Sequence, residues 1–164
     1  MKYLYLYKNN ICKLGIAEEN NAICNILFIR TEKGNEKLPD GFEKAQTPLL
    51  LKAAKQLDEY FNGKRKEFDL PLAPRGTEFQ NKVWKALQAI PFGKTCSYGQ
   101  LAAMTGNPKA CRAVGMANNR NPIPVIIPCH RVIGHNGALT GYAGGLELKQ
   151  KLLELESCGL YKKR

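Results

Sequence analysis

Cys129, His130 and Arg131 stand in succession after Pro128, at the end of the short apolar run Val125-Ile126-Ile127. A cysteine among apolar neighbours is usually an inert packing residue. Here an imidazole and a guanidinium follow at once, and nearby positive charge favours the thiolate, the nucleophilic form. Cysteine with an adjacent base is the activated-nucleophile arrangement of covalent catalysis. Consecutive side chains diverge, so His130 needs a sharp turn or a bridging water to take the Cys129 proton. A third group should orient the imidazole, and Glu156, on a helix predicted over 146–157, is the candidate. A structural cysteine is the competing reading of the same dipeptide.

Metal chemistry finds no support in the spacing. The six cysteines, Cys12, Cys24, Cys96, Cys111, Cys129 and Cys158, form no CxxC pair, and His130 and His135 lie far along the chain from Cys12 and Cys24. No zinc site is expected, and no disulfide framework. A reducing cytoplasm is the simplest home and would keep a functional thiol free.

The elements that must position Cys129 fall into two halves divided at Pro74, where Leu70-Pro71-Leu72-Ala73-Pro74 reads as a linker. The first half, residues 1–74, is strand-rich. Tyr3, Tyr5 and Tyr7 alternate with other residues, Asn9-Asn10 signals a turn, and residues 11–17 and 22–29 continue a meander. Residues 31–46 read as loop. A helix follows, with Thr47 as N-cap, Pro48 at its first position, Leu50, Ala53, Ala54 and Leu57 on one face, and Gly63 beyond its end.

The second half, residues 75–164, reads as mainly helical, which makes the whole an α+β protein. Thr77-Glu78-Phe79-Gln80 is a capping box opening a helix that carries Phe79, Val83, Trp84 and Leu87 and stops at Pro91. Ser97 caps a helix from Tyr98 to Met104. Gly106-Asn107 turns the chain, and Pro108 suits the first position of a helix running to about Asn118. Two short helices across a glycine turn form the helix-turn-helix pattern. The second of them has mostly small side chains, with Arg112 its one long donor in mid-helix. That suits a sequence-indifferent minor-groove contact better than base reading. Helix packing through Ala and Gly explains it equally.

The 164 residues carry 25 Lys and Arg against 14 Asp and Glu, a net charge of +11, with 44% hydrophobic residues. This is globular composition, with no apolar run long enough to span a membrane and no signal-peptide pattern at the start. The charge is lopsided. Residues 1–74 hold 12 basic and 10 acidic side chains, and residues 75–164 hold 13 basic and 4 acidic, a net of +9. The second half is therefore the expected contact for a polyanion.

Pro128-Cys129-His130-Arg131-Val132 resembles the active-site signature of the O(6)-alkylguanine-DNA alkyltransferases, the methylated-DNA–protein-cysteine methyltransferases. The match extends through Gly76-Thr77-Glu78-Phe79-Gln80, Ser97-Tyr98, Gly106-Asn107-Pro108-Lys109-Ala110, Arg112-Ala113-Val114-Gly115, Asn121-Pro122 and Gly141-Tyr142-Ala143-Gly144-Gly145-Leu146. The strand-rich first half agrees with that family's small ribonuclease H-like N-terminal domain.

The resemblance implies a single-turnover DNA repair protein without cofactor, monomeric when free, that binds double-stranded DNA through the minor groove irrespective of sequence. Cys129 would accept a methyl or small alkyl group from the 6-oxygen of guanine, or the 4-oxygen of thymine. His130 would act as base through a water, Glu156 would orient it, and Asn121 would brace the turn carrying Cys129. Tyr98 would crowd a phosphate to rotate the nucleotide out. With Val132, Tyr142 and Ala143 it would receive the base. Arg112 would fill the vacated stack, with Lys109, Ala110 and Gly115 also on the DNA. An extrahelical base is physically required, because a thiolate cannot reach that oxygen within the duplex.

Ala143 departs from members with serine there, so a contact to the lesion oxygen would come from backbone N–H. The zinc ligands of some members are missing, as is a further N-terminal regulatory domain, which leaves a transcriptional role unsupported. Two other readings compete. An alkyltransferase-like lesion binder would replace the acceptor cysteine, commonly with tryptophan, whereas Cys129 is present. A cysteine hydrolase using Cys129 and His130 would leave the +9 half and Arg112 unexplained.

Overall fold

Asparagines set the turns of the N-terminal meander. The Asn9 Oδ1 accepts the backbone N–H groups of Ile11 and Cys12 at 2.7 and 2.8 Å, and Asn20 and Asn21 hold φ of +54° and +61°, the hairpin geometry that asparagine tolerates. The result, in a computed structural model describing residues 2–29 and 40–157, is β1 (Lys2–Lys8), β2 (Lys13–Glu19) and β3 (Ala22–Phe28), paired antiparallel. The chain divides into two compact units, Met1–Pro74 and Arg75–Arg164.

The sheet has a fourth strand within the segment read as loop. Residues 42–44 form β4 (Phe42–Lys44), parallel to β1 at the edge of a sheet ordered β3-β2-β1-β4. Only Phe42 is partly buried, and Glu43 and Lys44 face solvent, the charged edge that discourages further strand pairing. Residues 31–39 of that predicted loop, and Cys158, lie outside the described residues. Helix α1 (Pro48–Phe61) begins where the punctuation places it, with Thr47 Oγ1 accepting from Leu50 N–H at 3.1 Å. Its Leu50, Ala53 and Leu57 are buried on the face toward the sheet.

The proline-rich stretch at 70–74 is not a free linker. Ile23 N–H donates to Pro71 O and Ala73 N–H to Ile23 O, both at 2.8 Å, so the segment lies along β3. Extended backbone forced by proline suits pairing at an edge as readily as spanning a gap.

In the second unit the capping box read at Thr77 forms, and the Ser97 cap proves to be a second one. Thr77 and Gln80 exchange bonds at the start of α2 (Glu78–Gln88), and Ser97 and Gln100 do so for α3 (Tyr98–Met104). Val83, Trp84 and Leu87 are buried along α2, whereas Phe79 in its first turn is exposed. The Trp84 indole N–H donates to Ala117 O at 2.8 Å, fixing α2 to the helix that follows α3. A Cβ on Gly76 would lie 2.3 Å from the same indole, so this position accepts only glycine.

Helix α4 (Cys111–Asn119) starts three residues later than Pro108 suggests. Asn107 prolongs the turn, its Oδ1 accepting from Lys109 N–H and its backbone O from Ala110 N–H, both at 3.1 Å. This local side-chain bond outcompetes the helical start. Beyond α4 come a 3-10 turn at Cys129–Arg131 and a two-residue parallel pairing of β5 (Cys96–Ser97) with β6 (Val132–Ile133). The last helix is α5 (Leu146–Glu156). Strands in one unit and mainly helices in the other make the fold α+β, as expected.

Candidate active site

A strained loop delivers Cys129. Asn121 bridges it from within, its Nδ2 donating to Ile127 O at 2.7 Å and its Oδ1 accepting from Ile123 N–H at 3.0 Å. Ile127 N–H closes the turn onto Ile123 O at 2.9 Å. At the turn's apex Val125 holds φ of +73°, which a β-branched residue keeps only when its surroundings enforce it; here the side chain is buried. A 3-10 turn over Cys129–Arg131 follows. Cys129 is 5% exposed and His130 0%.

The imidazole is held from the far side. His130 Nε2 lies 2.7 Å from Glu156 Oε2. Arg131 grips the same carboxylate twice, Nε to Oε1 at 2.7 Å and an Nη to Oε2 at 3.1 Å, and its other Nη donates to Ile90 O at 2.7 Å. Burial works to raise the Glu156 carboxyl, but the hydrogen bonds and charges of His130 and Arg131 override it and bring its pKa down to about 2. Burial also lowers His130 below its ordinary 6.5, against the pull of Glu156, so the ring is neutral at neutral pH. Arg131 is then the charge that keeps Glu156 ionised. An ionised carboxylate only accepts, so His130 Nε2 carries the ring proton and Nδ1 the lone pair. Nδ1 is buried and hydrogen-bonded to none of the described residues, which makes it the basic atom of the cluster.

Burial pushes the Cys129 thiol up to about 11, opposed by a hydrogen bond from Asn121 and by the charge of Lys149. The resting residue is therefore a thiol and needs a base. Arg131, which the sequence suggested as the thiolate's electrostatic partner, is committed to Glu156 instead. Lys149 takes that part. Its side chain is 0% exposed, with Nζ donating to Val132 O at 2.7 Å and Thr140 O at 2.6 Å. Burial lowers Lys149 to about 8, with Cys129 opposing the shift. Sequence reading missed Lys149, and nothing in an amphipathic helical stretch marks one lysine as buried.

The other singled-out residues separate into two places. Tyr98 opens α3, its OH 2.9 Å from Thr140 Oγ1, with its ring beside Gly115 of α4, where a Cβ would sit 3.6 Å away. Val132 is buried in β6, and Tyr142 and Ala143 follow in the loop before α5. Arg112 and Lys109 are exposed on and just before α4, outside the buried cluster, and Ala110 is the N-cap of that helix. Among the described residues no group of three His, Cys, Asp or Glu side chains is arranged to hold a metal ion.

Residues 78–158 match the family model for the DNA-binding domain of 6-O-methylguanine DNA methyltransferase, and residues 2–74 match that of its ribonuclease-like domain. The chain belongs to this family. Among its relatives, the methylated-DNA--protein-cysteine methyltransferase of Methanosarcina mazei is 48% identical over 158 residues, covering 96% of this chain and 99% of the relative. The constitutive Bacillus subtilis protein of the same name is also 48% identical, over 95% of this chain and 96% of its own. In structure, the O6-methylguanine methyltransferase of Mycobacterium tuberculosis superposes with a TM-score of 0.85 at 42% identity, covering 96% of this chain and 93% of the other. A solved complex of the tuberculosis protein with DNA gives 0.84 at the same identity, over 94% and 92%. In this chain His130, Glu156 and Arg131 form one bonded buried set, while Asn121 braces the loop leading to Cys129 and Lys149 bonds the carbonyl of Val132 just after it.

Proposed function

We propose that this protein repairs DNA by moving a methyl or small alkyl group from the 6-oxygen of guanine in duplex DNA onto Cys129, once per molecule. The observation that carries this reading is the buried relay next to Cys129 in the chain, in which neutral His130 presents an Nδ1 hydrogen-bonded to none of the described residues, while Glu156, itself gripped by Arg131, holds its Nε2. His130 takes the thiol proton through a bridging water. Sulfur then bonds to the alkyl carbon as the carbon–oxygen bond breaks, and that electron pair leaves with guanine. The proton passes to guanine, so a thiol and an O-alkyl base become a thioether and an unmodified base. Lys149 stabilises the transient thiolate. No thiol chemistry reverses a thioether, so the product is an inactive protein.

Tyr98 rotates the nucleotide and Arg112 fills the gap in the stack. Val132, Tyr142 and Ala143 receive the base. Lys109, Ala110 and Gly115 place α4 in the minor groove without regard to sequence, and the protein acts as a monomer. Of the +9 in this unit, the buried Arg131, Lys149 and Glu156 account for +1, so the remainder is available for phosphate attraction. The test is mass spectrometry after incubation with duplex DNA containing O6-methylguanine. We expect one added methyl group per molecule, on the Cys129 peptide. An adduct on Cys96 or Cys111, or turnover with no adduct, overturns the proposal.

The shifted groups also give the rate a shape. His130 must be neutral, and its pKa is depressed, so the single-turnover rate holds through neutral pH and falls only below 6.5. Lys149 must be charged, so the rate falls again as pH rises through about 8. Quenched-flow rates on saturating duplex check both limbs. An acid limb centred above 6.5 would exclude His130 as the base.

A further inference from the structure

We infer that Thr140 is a positioning residue: its hydroxyl fixes the Tyr98 phenol to the frame that carries Cys129. The inference rests on the function proposed above. Tyr98 packs its ring beside Gly115, which leaves the phenolic oxygen as its one polar handle, 2.9 Å from Thr140 Oγ1. Thr140 is exposed and lies outside any helix or strand, so it anchors Tyr98 only if its own backbone is held. Two contacts hold it. The Lys149 ammonium donates to Thr140 O at 2.6 Å and also to Val132 O at 2.7 Å, directly after the 3-10 turn bearing Cys129. The next residue, Gly141, presses on the end of α4, since a Cβ there would lie 3.0 Å from Asn119 Nδ2. A continuous path therefore runs from the phenol through Thr140, Lys149 and Val132 to the nucleophile.

A group that must push against a phosphate works only if it cannot yield. An unanchored phenol can swing about its side-chain torsions, and a small misplacement lowers the rate of a step that depends on orientation. The hydroxyl of Thr140 removes that freedom. The effect belongs to opening the duplex and is not needed for a base already free.

Thr140→Val keeps the shape and removes the hydroxyl, and Thr140→Ser keeps the hydroxyl. Single-turnover rates are to be measured on O6-methylguanine duplex and on a free O6-alkylguanine base, with Cys129 alkylation as readout. We expect Thr140→Val to slow the duplex reaction about three- to tenfold, the worth of one such hydrogen bond, and to change the free-base reaction by less than about twofold. Thr140→Ser restores the duplex rate, and in a Tyr98→Phe background Thr140→Val adds no further loss. Unchanged duplex reaction in Thr140→Val overturns the inference. So does equal slowing on both substrates, the signature of a displaced loop, or an undiminished effect in Tyr98→Phe. Failure of the underlying function looks different: the unsubstituted protein would then acquire no alkyl group on Cys129 from either substrate.

Discussion

Cys129→Ser abolishes alkyl transfer, slowing it by at least about a thousandfold, while duplex affinity stays within about twofold of the parent. The site explains both halves. Burial already holds the thiol at about 11, so even sulfur is ionised only with help from His130, Asn121 and Lys149. A hydroxyl is a far weaker acid and a poorer nucleophile toward saturated carbon, and the same neighbours cannot close that gap. In the proposed function binding is carried elsewhere, by the exposed Arg112 and Lys109 at α4. Serine is close in volume to cysteine, so the 3-10 turn should survive. Mass spectrometry and a fluorescence-anisotropy titration with the same duplex read the two properties side by side. Residual transfer within tenfold of the parent would remove Cys129 as acceptor. Parallel loss of transfer and binding would make it a packing residue.

The parts of this site that are legible in sequence are those whose chemistry is local. Pro128-Cys129-His130 announces a nucleophile and base because they are adjacent, and Glu156 can be proposed because a neutral imidazole needs an anchor. Lys149 and the true partner of Arg131 are not legible. Lysine is almost never fully buried, and in Leu146-Glu147-Leu148-Lys149-Gln150-Lys151 one lysine looks like the other. What distinguishes Lys149 is two carbonyls, those of Val132 and Thr140, which the fold alone brings to it. Arg131 was misassigned for the same reason. Its neighbour in sequence is the nucleophile's base, but its guanidinium is directed 25 residues onward to Glu156 and back to Ile90 O.

A similar division runs through the fold. Helices with side-chain caps at Thr47, Thr77 and Ser97 declare their first residues, because the capping bond is encoded within four positions. Helix α4 has no such side-chain cap, and its start at Cys111 was displaced by the Asn107 turn. Strands β4, β5 and β6 span only two or three residues each, too few for alternation to register, and exist because a partner strand lies beside them.

Glu156→Gln is expected to destabilise the second unit by about 3–5 kcal/mol, because it leaves Arg131 buried without its counter-charge. Arg131 is anchored by its Ile90 contact and cannot easily turn to solvent. The double variant Arg131→Met with Glu156→Gln should recover much of that stability, since a buried pair replaced together costs far less than a pair broken. Transfer does not recover with it. Glutamine is neutral and cannot support the imidazolium that His130 becomes when it takes the thiol proton, so the double variant folds yet reacts slowly. The pH dependence gives an independent check. Glu156 has a folded pKa of about 2 against an ordinary 4.5, so its contribution is fully present above 4.5 and is lost as pH falls toward 2. His130, also depressed, removes stability at higher pH, as the solution drops below 6.5 and the unfolded chain binds a proton that the folded chain refuses. Urea denaturation across this range should therefore show a decline in two stages in the parent. The double variant should lack the lower stage and keep a decline below 6.5. If the lower stage persists without Glu156, that stage belongs to other carboxyl groups and not to the Glu156–Arg131 pair. If the double variant transfers at the parental rate, Glu156 stabilises the fold and contributes nothing to the base.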